Sequence, residues 1–365
     1  MQKKFVTNLA LLLFLNLLVK PFWILGIDRS VQNAVGAEAY GIYYALFNFS
    51  FLLNIILDVG ITNFNNKNIA QNNHLLNKHL SSIIVLRLAL SLIYIIVILF
   101  AGLLIGYDVS RLRMLLVLAF NQMLISFILY LRSNLSGLHL FRTDSFVSVL
   151  DRLIMIVLCG FLLWGGVAVH PFRISWFIYA QTSAYVLTAL ITFVIVMDKA
   201  RLKKLNWNPA FFLMILRKSY PFAVLVLLMT FYNRIDTVML ERMLPNGAEQ
   251  SGIYASAYRF LDSANMIAFL FAGLLLPLFA RMLKMKENVE QLVKLSFSLL
   301  IVLSVIVAAG SYFYRREIME LLYHEHIEAS ARIFGLLMTC FIAISTTYVF
   351  GTLLTANGNL RELNI

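Results

Sequence analysis

The feature that most constrains this chain is a succession of long apolar runs separated by short polar connections. We read ten runs of about 20 residues or more, at residues 5–25, 40–62, 80–105, 114–135, 146–166, 174–197, 219–240, 252–280, 293–313 and 333–354. Each run is long enough to cross a hydrocarbon layer of about 30 Å as a helix rising about 1.5 Å per residue. Stretches such as LALLLFLNLLV do not alternate, which excludes transmembrane β-strands. The sequence therefore predicts an all-α polytopic membrane protein.

The composition agrees with a membrane location. The 365 residues are 61% hydrophobic and 13% charged, with a mean hydropathy of +0.83, whereas soluble domains carry about 25% charged residues. The first run has a basic start but is longer than the 7–15 apolar residues of a signal peptide, and further runs follow it. We therefore expect it to be an uncleaved first helix.

The distribution of Lys and Arg predicts the orientation of the chain. With the amino terminus in the cytoplasm, the connections on that side carry 17 of the 30 Lys and Arg residues and the opposite connections carry 8. The remaining 5 fall inside apolar runs. Positive charge accumulates on the cytoplasmic side of membrane proteins, so a cytoplasmic amino terminus is expected. The net charge of +12 is then explained by attraction to the inner leaflet and requires no nucleic acid.

A short phrase occurs twice, as GAEAYGIY at Gly36–Tyr43 and GAEQSGIY at Gly247–Tyr254. Six of the eight positions are identical and the copies lie 211 residues apart. Each copy opens an apolar run, and six runs separate the two, so both face the same side. Such a repeat predicts two halves related by an axis along the membrane normal. Glu38 and Glu249 suit a helix amino terminus, and Gly36 suits a turn.

Three residues near the repeated phrase carry further expectations. Pro21 lies within the first run, where a missing N–H opens the helical backbone. Tyr43 and Tyr254 close the two copies of the phrase. We expect both tyrosines at the outer interface, where aromatic side chains anchor membrane proteins.

The stretches KPFWILGIDRSVQNAVGAEAYGIYYALFNFSFLLNIILDVGITNFNNKNIA and NRIDTVMLERMLPNGAEQSGIYASAYRFLD resemble the bacterial polysaccharide-biosynthesis proteins. These are oligosaccharide flippases of the multidrug/oligosaccharidyl-lipid/polysaccharide exporter superfamily. The resemblance implies two pseudo-symmetric six-helix lobes, a central cavity and alternating access. The implied substrate is an oligosaccharide linked to undecaprenyl diphosphate. It implies a lobe at 1–198, a basic cytoplasmic linker at 199–211 and a lobe at 212–365. The family has twelve or more spans, so the second lobe is expected to be truncated.

Charged residues inside the runs are the candidates for function, because each costs at least about 2.5–3.5 kcal/mol in a membrane and tends to face a cavity or a partner. A diphosphate is bound by arginine forks and lysine point charges, and a glycan by polar amides. The candidate diphosphate and glycan ligands are Lys20, Arg87, Arg234, Arg259, Asn48 and Asn233. The candidates for gating or ion coupling are Asp58, Asp236 and Asp262. We expect Lys20 and Arg234 to face each other across the cavity.

Structural alternatives remain open for several of these charges. Arg259 and Asp262 are three residues apart on one helix and could neutralise each other. Arg152 lies near the predicted cytoplasmic end of its helix, where snorkelling to the surface is the favoured interpretation. Arg87 could snorkel or contact cargo, and Asp58 is favoured as a structural partner rather than a proton carrier.

The predicted function is the flipping of a polyprenyl-diphosphate-linked oligosaccharide from the inner to the outer leaflet of the bacterial inner membrane. We expect a transporter rather than an enzyme, since the sequence has no P-loop motif and no long outer loop. The alternatives are a multidrug or cation antiporter of the same fold and, less favoured, a polysaccharide polymerase. The expected partners are the lipid-linked substrate, membrane lipids and H+ or Na+ as a coupling ion. No metal, cofactor, nucleotide or nucleic acid is expected.

Overall fold

The computed structural model describes residues 11, 14–62, 65–66, 69, 74–165, 172–200 and 207–357. Within these residues the secondary structure is helical, without strands. Residues 14–22 are helical and continue into a π-helix, Trp23–Asp28. The α-helices that follow are α1 Arg29–Val35, α2 Ala37–Leu52, α3 Ile55–Asp58, α4 Leu75–Ile105, α5 Val109–Gly137, α6 Phe141–Trp164, α7 Ile174–Lys199, α8 Pro209–Met243, α9 Gly247–Lys284, α10 Glu290–Phe313, α11 Arg315–Leu322 and α12 Ile327–Asn357. The basic amino terminus at 1–10 and the linker residues 201–206 lie outside the described residues.

The lengths of the helices confirm an all-α multi-pass membrane protein. Among the described residues, six helices are long and apolar enough to cross a membrane: His79–Ile105, Val109–Gly137, Phe141–Trp164, Ile174–Lys199, Glu290–Phe313 and Ile327–Asn357. Side-chain and backbone caps define where several of them begin and end. The Asp108 side chain accepts a hydrogen bond from the Ser110 N–H at the start of α5. Gly106, with φ 85°, takes the left-handed conformation that closes α4.

The first of two compact units contains Met1–Trp23 and Ser30–Ser251. In this unit α2 packs against α5, α7 and α8, and α5 also packs against α4, α6 and α7. Aromatic side chains fill the interior, where Tyr40, Tyr94 and Tyr130 are fully buried. The Tyr94 hydroxyl donates a 2.6 Å hydrogen bond to the Ser50 carbonyl oxygen and so satisfies its polar end.

The second compact unit contains Ile24–Arg29 and Gly252–Ile365. Its most extensive packing between two helices of the described chain is that of α10 against α12, and the short helix α11 also packs on α12. The apolar core includes Phe334, Met338 and Phe341 of α12. Phe260 of α9 packs against Phe334 with ring centres 4.8 Å apart.

The helical backbone changes its hydrogen-bond pattern just after Pro21, as expected from the sequence. Residues Trp23–Asp28 form a π-helix rather than an α-helix. A proline removes one N–H from the ladder and its ring displaces the preceding turn. The wider turn that follows Pro21 is a feature frequently found at functional sites.

The two copies of the repeated phrase both begin a helix, but they use their glycines differently. Gly36 has φ 83° and ψ 163° immediately before α2. At Gly247 a Cβ would lie only 2.0 Å from the Glu241 carbonyl oxygen, so glycine is needed there for close approach. Glu38 and Glu249 lie in the first turns of α2 and α9, as expected for carboxylates at the positive end of a helix dipole.

The expectation for Tyr43 differs from its position in the structure. Tyr43 is buried, its ring packs edge-on against Phe177, and its hydroxyl accepts a 2.7 Å hydrogen bond from the Gln181 side chain. Tyr43 therefore packs in the interior of the first unit instead of anchoring it at an interface. The sequence around Tyr43 could not predict this burial, because Phe177 and Gln181, which pack against Tyr43, lie more than 130 positions away in the sequence.

We predict that Gly36→Ala lowers the stability of the protein by about 1–3 kcal/mol, because its φ and ψ lie in a region that is essentially restricted to glycine. The matched control is Gly310→Ala in α10, where no atom lies within 4 Å of the added Cβ and alanine favours the helix. Thermal unfolding of the purified protein in detergent measures the effect. Equal melting temperatures for both variants would contradict the strain argument.

Candidate functional site

Arg87 is held by a buried ion pair with Asp58. The Arg87 Nη2 contacts the Asp58 carboxylate and donates to the Thr62 hydroxyl at 2.8 Å. The Arg87 Nη1 donates to the carbonyl oxygen and the hydroxyl of Ser126, at 2.9 and 2.8 Å. The guanidinium also lies 4.8 Å from the centre of the Tyr130 ring. Arg87 is only 4% exposed, and both of its terminal nitrogens are engaged within the protein. It thereby joins α3, α4 and α5.

Asp58 is correspondingly committed to structural contacts. Its carboxylate accepts hydrogen bonds from the N–H and the hydroxyl of Thr62 in addition to the contact with Arg87. These contacts hold the Asp58 carboxylate between the Arg87 guanidinium and two donors of Thr62. This arrangement favours the structural alternative for Asp58 over a role as a proton carrier.

Arg259 forms a second buried cluster, within the second unit. Its Nε lies 3.0 Å from the Asp28 carboxylate, and its Nη1 donates to the Tyr323 hydroxyl at 3.1 Å. Tyr323, outside the membrane-spanning helices, donates to the Ser256 carbonyl oxygen at 3.3 Å, and burial raises the pKa of its hydroxyl. Arg259 is 3% exposed. The carboxylate facing it is therefore Asp28 of the π-helix, which sequence reasoning did not single out.

Asp262, the neighbour proposed from sequence spacing, lies one helical turn beyond Arg259 on α9 and is half-buried. It acts electrostatically on Tyr348 of α12. Its role in gating or coupling stays a prediction.

Arg234 lies on α8 where this helix packs against α2. Its Nη1 donates to the Asn48 side-chain oxygen at 3.3 Å, and its guanidinium lies 5.5 Å from the centre of the Phe51 ring. Asn48 is fully buried and donates to the Tyr44 carbonyl oxygen at 2.9 Å. The structure thus brings together two of the predicted ligands, Arg234 and Asn48.

The other two candidates on α8 surround Arg234 in sequence but differ from it in environment. Asn233 is exposed. Asp236 is half-buried and accepts a 2.7 Å hydrogen bond from the Thr237 N–H. Residues two apart on a helix point in different directions, so Asp236 does not share the face of Arg234. Both assignments stay predictions.

Lys20 lies in the first unit beside Arg152 and Asp151 of α6, and Arg132 also acts on it. Arg152 donates to the Tyr185 hydroxyl at 3.2 Å. Because α6 begins at Phe141, Arg152 lies about three turns inside the helix. Its contact with Tyr185 inside the bundle differs from the snorkelling arrangement favoured by the sequence. That Lys20 and Arg234 face each other stays a prediction.

Sequence reasoning missed an ion cluster at the end of α8. Glu241 is 7% exposed and pairs with Arg111 of α5, while the Tyr107 hydroxyl donates to it at 3.4 Å. Arg242 donates to the Ile105 carbonyl oxygen at 2.6 Å and lies 5.0 Å from the centre of the Tyr107 ring.

In the sequence, Arg111 and Arg242 lie in the connections between apolar runs. The available signal was the acidic residue directly before an arginine at the end of an apolar run. Burial raises the pKa of Tyr107, which lies in the turn between α4 and α5, and the Glu241 charge adds to this. The cluster fastens the end of α8 to that turn within the first unit.

We predict that Arg87→Met lowers stability by about 3–5 kcal/mol, because removing one partner leaves Asp58 buried without its counter-charge. Arg113→Met on the exposed face of α5 is the matched control. Thermal unfolding in detergent reports the difference. An Arg87→Met protein that keeps its melting temperature but loses transport would instead assign Arg87 to the cargo.

We predict that Arg111→Met and Glu241→Gln are coupled by about 0.5–3 kcal/mol in a double-mutant cycle, because the two side chains form one ion pair. The double variant should be more stable than the sum of the single effects predicts. Melting temperatures of the four proteins provide the cycle, and strictly additive changes would show that the pair contributes nothing.

The family described as polysaccharide biosynthesis protein matches residues 6–283. Among solved structures, the inward-facing conformation of a multidrug resistance MATE family transporter of the MOP superfamily is similar with a TM-score of 0.68. It shares 15% identity over 95% of this chain and 84% of that chain. The outward-facing conformation of a transporter of that description gives a TM-score of 0.58 at 16% identity, covering 96% and 84%.

A MOP superfamily transporter from Pyrococcus furiosus is similar with a TM-score of 0.65. It shares 17% identity over 97% of this chain and 83% of that chain, and the reverse polarity of its binding pocket suggests a different function for that transporter. No curated protein matches this chain.

The membrane-spanning helices define a multi-pass membrane protein, and its fold is similar to that of solved MOP superfamily transporters. The family match covers well over half of the chain. The protein belongs to the polysaccharide biosynthesis protein family, as the resemblance implied.

Proposed function

We propose that this protein flips a polyprenyl-diphosphate-linked oligosaccharide from the inner to the outer leaflet of the bacterial inner membrane, with its amino terminus in the cytoplasm. The observation that carries the proposal is the combination of a polysaccharide biosynthesis family with a fold found in membrane transporters. Polysaccharide assembly with a membrane transporter requires that a glycan crosses the bilayer. A lipid anchor can stay in the bilayer while the polar head crosses through the protein.

Lys20 and Arg234 are the proposed ligands of the diphosphate. Both lie in helices of the first unit, and Arg234 contacts the polar Asn48 and the aromatic Phe51. Arginine and lysine are the residues that bind phosphate groups by charge-assisted hydrogen bonds. Amide and aromatic neighbours suit the sugar that follows the diphosphate.

A multidrug or cation antiporter of the same fold is the second candidate function, supported by the structural similarity to MATE transporters. A cationic substrate would require accessible carboxylates. Asp58, Asp28 and Asp144 instead face Arg87, Arg259 and Arg132, which occupies these negative charges. Because these pairs occupy arginines as well as carboxylates, the anionic lipid-linked substrate is proposed from Lys20, which has no ion pair within the described residues. The coupling ion is proposed to be H+ or Na+.

Flipping by the full chain in proteoliposomes tests the proposed function. A fluorescent polyprenyl-diphosphate oligosaccharide is included in both leaflets, and a membrane-impermeant quencher then measures how fast the inner pool reaches the outside. Applying a proton or sodium gradient identifies the coupling ion. Uptake of a cationic dye without movement of the lipid-linked glycan would favour the antiporter.

We predict that Arg234→Ala slows flipping by about tenfold or more and that Arg234→Lys keeps part of the activity, because a charged hydrogen bond contributes about 1.5–3 kcal/mol. Arg113→Ala is the control for a lost surface charge. Membrane insertion and abundance should be equal in all variants. A well-inserted Lys20→Ala, Arg234→Ala double variant that flips at the wild-type rate would refute this assignment of the ligands.

A further inference from the structure

Lys20 has no hydrogen bond or ion pair within the described residues, in contrast to the candidate cations Arg87, Arg234 and Arg259. It is half-buried in the first unit. One helical turn before Lys20, the Asn16 side chain donates to the Ser148 hydroxyl of α6 at 3.1 Å, and one turn after it the Trp23 ring lies 5.6 Å from the Arg152 guanidinium. Lys20 therefore lies against α6, where the charges near it are Arg152, Asp151 and, on α5, Arg132. Arg132 is already paired, with its Nε 2.7 Å from the Asp144 carboxylate. The Lys20 ammonium therefore lacks a counter-charge of its own.

Arg152 presents a second cation beside Lys20 with only part of its guanidinium engaged. Its Nη1 donates to the Tyr185 hydroxyl at 3.2 Å, and its Nε lies 3.7 Å from the Asp151 carboxylate. The guanidinium lies 5.6 Å from the centre of the Trp23 ring. The Arg152 side chain is 27% exposed, so part of it remains accessible within the protein.

The three charges do not cancel. Lys20 and Arg152 share the single carboxylate of Asp151, which leaves one excess positive charge between the first helix and α6. Uncompensated charge inside a membrane protein is unfavourable and marks a functional site by default. An anion placed here would complete the charge balance of the cluster.

We propose that Lys20 and Arg152 form an oxyanion site within the first unit that binds a phosphate-type group. This site rests on the proposed function, since the lipid-linked substrate supplies such a group as its diphosphate. Arg152 offers a planar fork and Lys20 a point charge, the two arrangements that proteins use for phosphate. The Tyr185 hydroxyl and the Trp23 ring hold the Arg152 guanidinium in place.

Asp151 sets the strength of the site and gives the proposal a directional test. Its carboxylate balances part of the positive charge and repels an incoming anion, so Asp151→Asn should strengthen anion binding. A purely structural role for the cluster predicts the opposite, because losing the carboxylate would then loosen Arg152. The two interpretations thus differ in sign.

The test measures binding of inorganic pyrophosphate to the full chain in detergent by titration calorimetry. We expect Lys20→Gln and Arg152→Gln to weaken binding by about tenfold or more, and Asp151→Asn to tighten it. Arg113→Gln, which changes an exposed cation of α5, is the control and should bind as the wild type. Thermal unfolding identifies any variant that fails to fold. The pyrophosphate affinities of the variants that do fold then test the proposed site.

Competition identifies the source of the phosphate group. Polyprenyl diphosphate in nanodiscs should displace pyrophosphate, whereas phosphatidylglycerol should not, and equal displacement by both would overturn the assignment to the substrate. Unchanged binding in Lys20→Gln and Arg152→Gln, or weaker binding in Asp151→Asn, would overturn the site itself.

The flipping assay separates this site from the proposed function. Pyrophosphate binding with the expected pattern but no flipping would reject the function and keep the site. Flipping that is unaffected by Lys20→Gln and Arg152→Gln would reject the site and keep the function.

Discussion

The structure depends on pairing the charges that its membrane helices carry. A buried ion is expensive to remove from water, and its partner and hydrogen bonds must compensate for most of that cost. Arg87 achieves this through Asp58, Thr62 and Ser126, which lie on neighbouring segments of the first unit. The pairs therefore specify which helices come together, because a helix placed elsewhere would leave a charge unpaired in an apolar environment.

The same constraint separates structural charges from candidates for binding. Arg87 and Arg259 are almost completely buried, and each faces a carboxylate. Lys20 has no such partner within the described residues, and Arg152 shares Asp151 with it. Sequence position alone therefore does not show which intramembrane cations bind a substrate, because the cations differ in the residues that folding places beside them.

The fold was predictable because membrane helices are encoded locally. Most of the apolar runs lie in helices of the described chain, although turns at residues 53–54 and 59–60 interrupt the run at 40–62. Pro21 lies just before the π-helix. The partners of the charges were less predictable. Asp28 precedes Arg259 by more than 200 residues, whereas sequence spacing pointed to the nearby Asp262. Local spacing can show which residues share a helix face, but long-range pairing is decided by packing between helices.

A common fold does not decide what is transported, because function depends on the residues of the site. The proposed anionic substrate is supported by Lys20, which is unpaired within the part of the chain that the structure describes, and the position of Lys20 in the backbone adds to that support. Lys20 directly precedes Pro21 and lies one turn before the π-helix Trp23–Asp28. A π-helical turn is a site where the backbone ladder is already rearranged, so small dihedral changes there can reposition the ammonium. The proposed role of Lys20 requires it to take up and release a substrate. A position beside a π-helical turn suits this role better than a position inside a regular helix, where Arg87 lies.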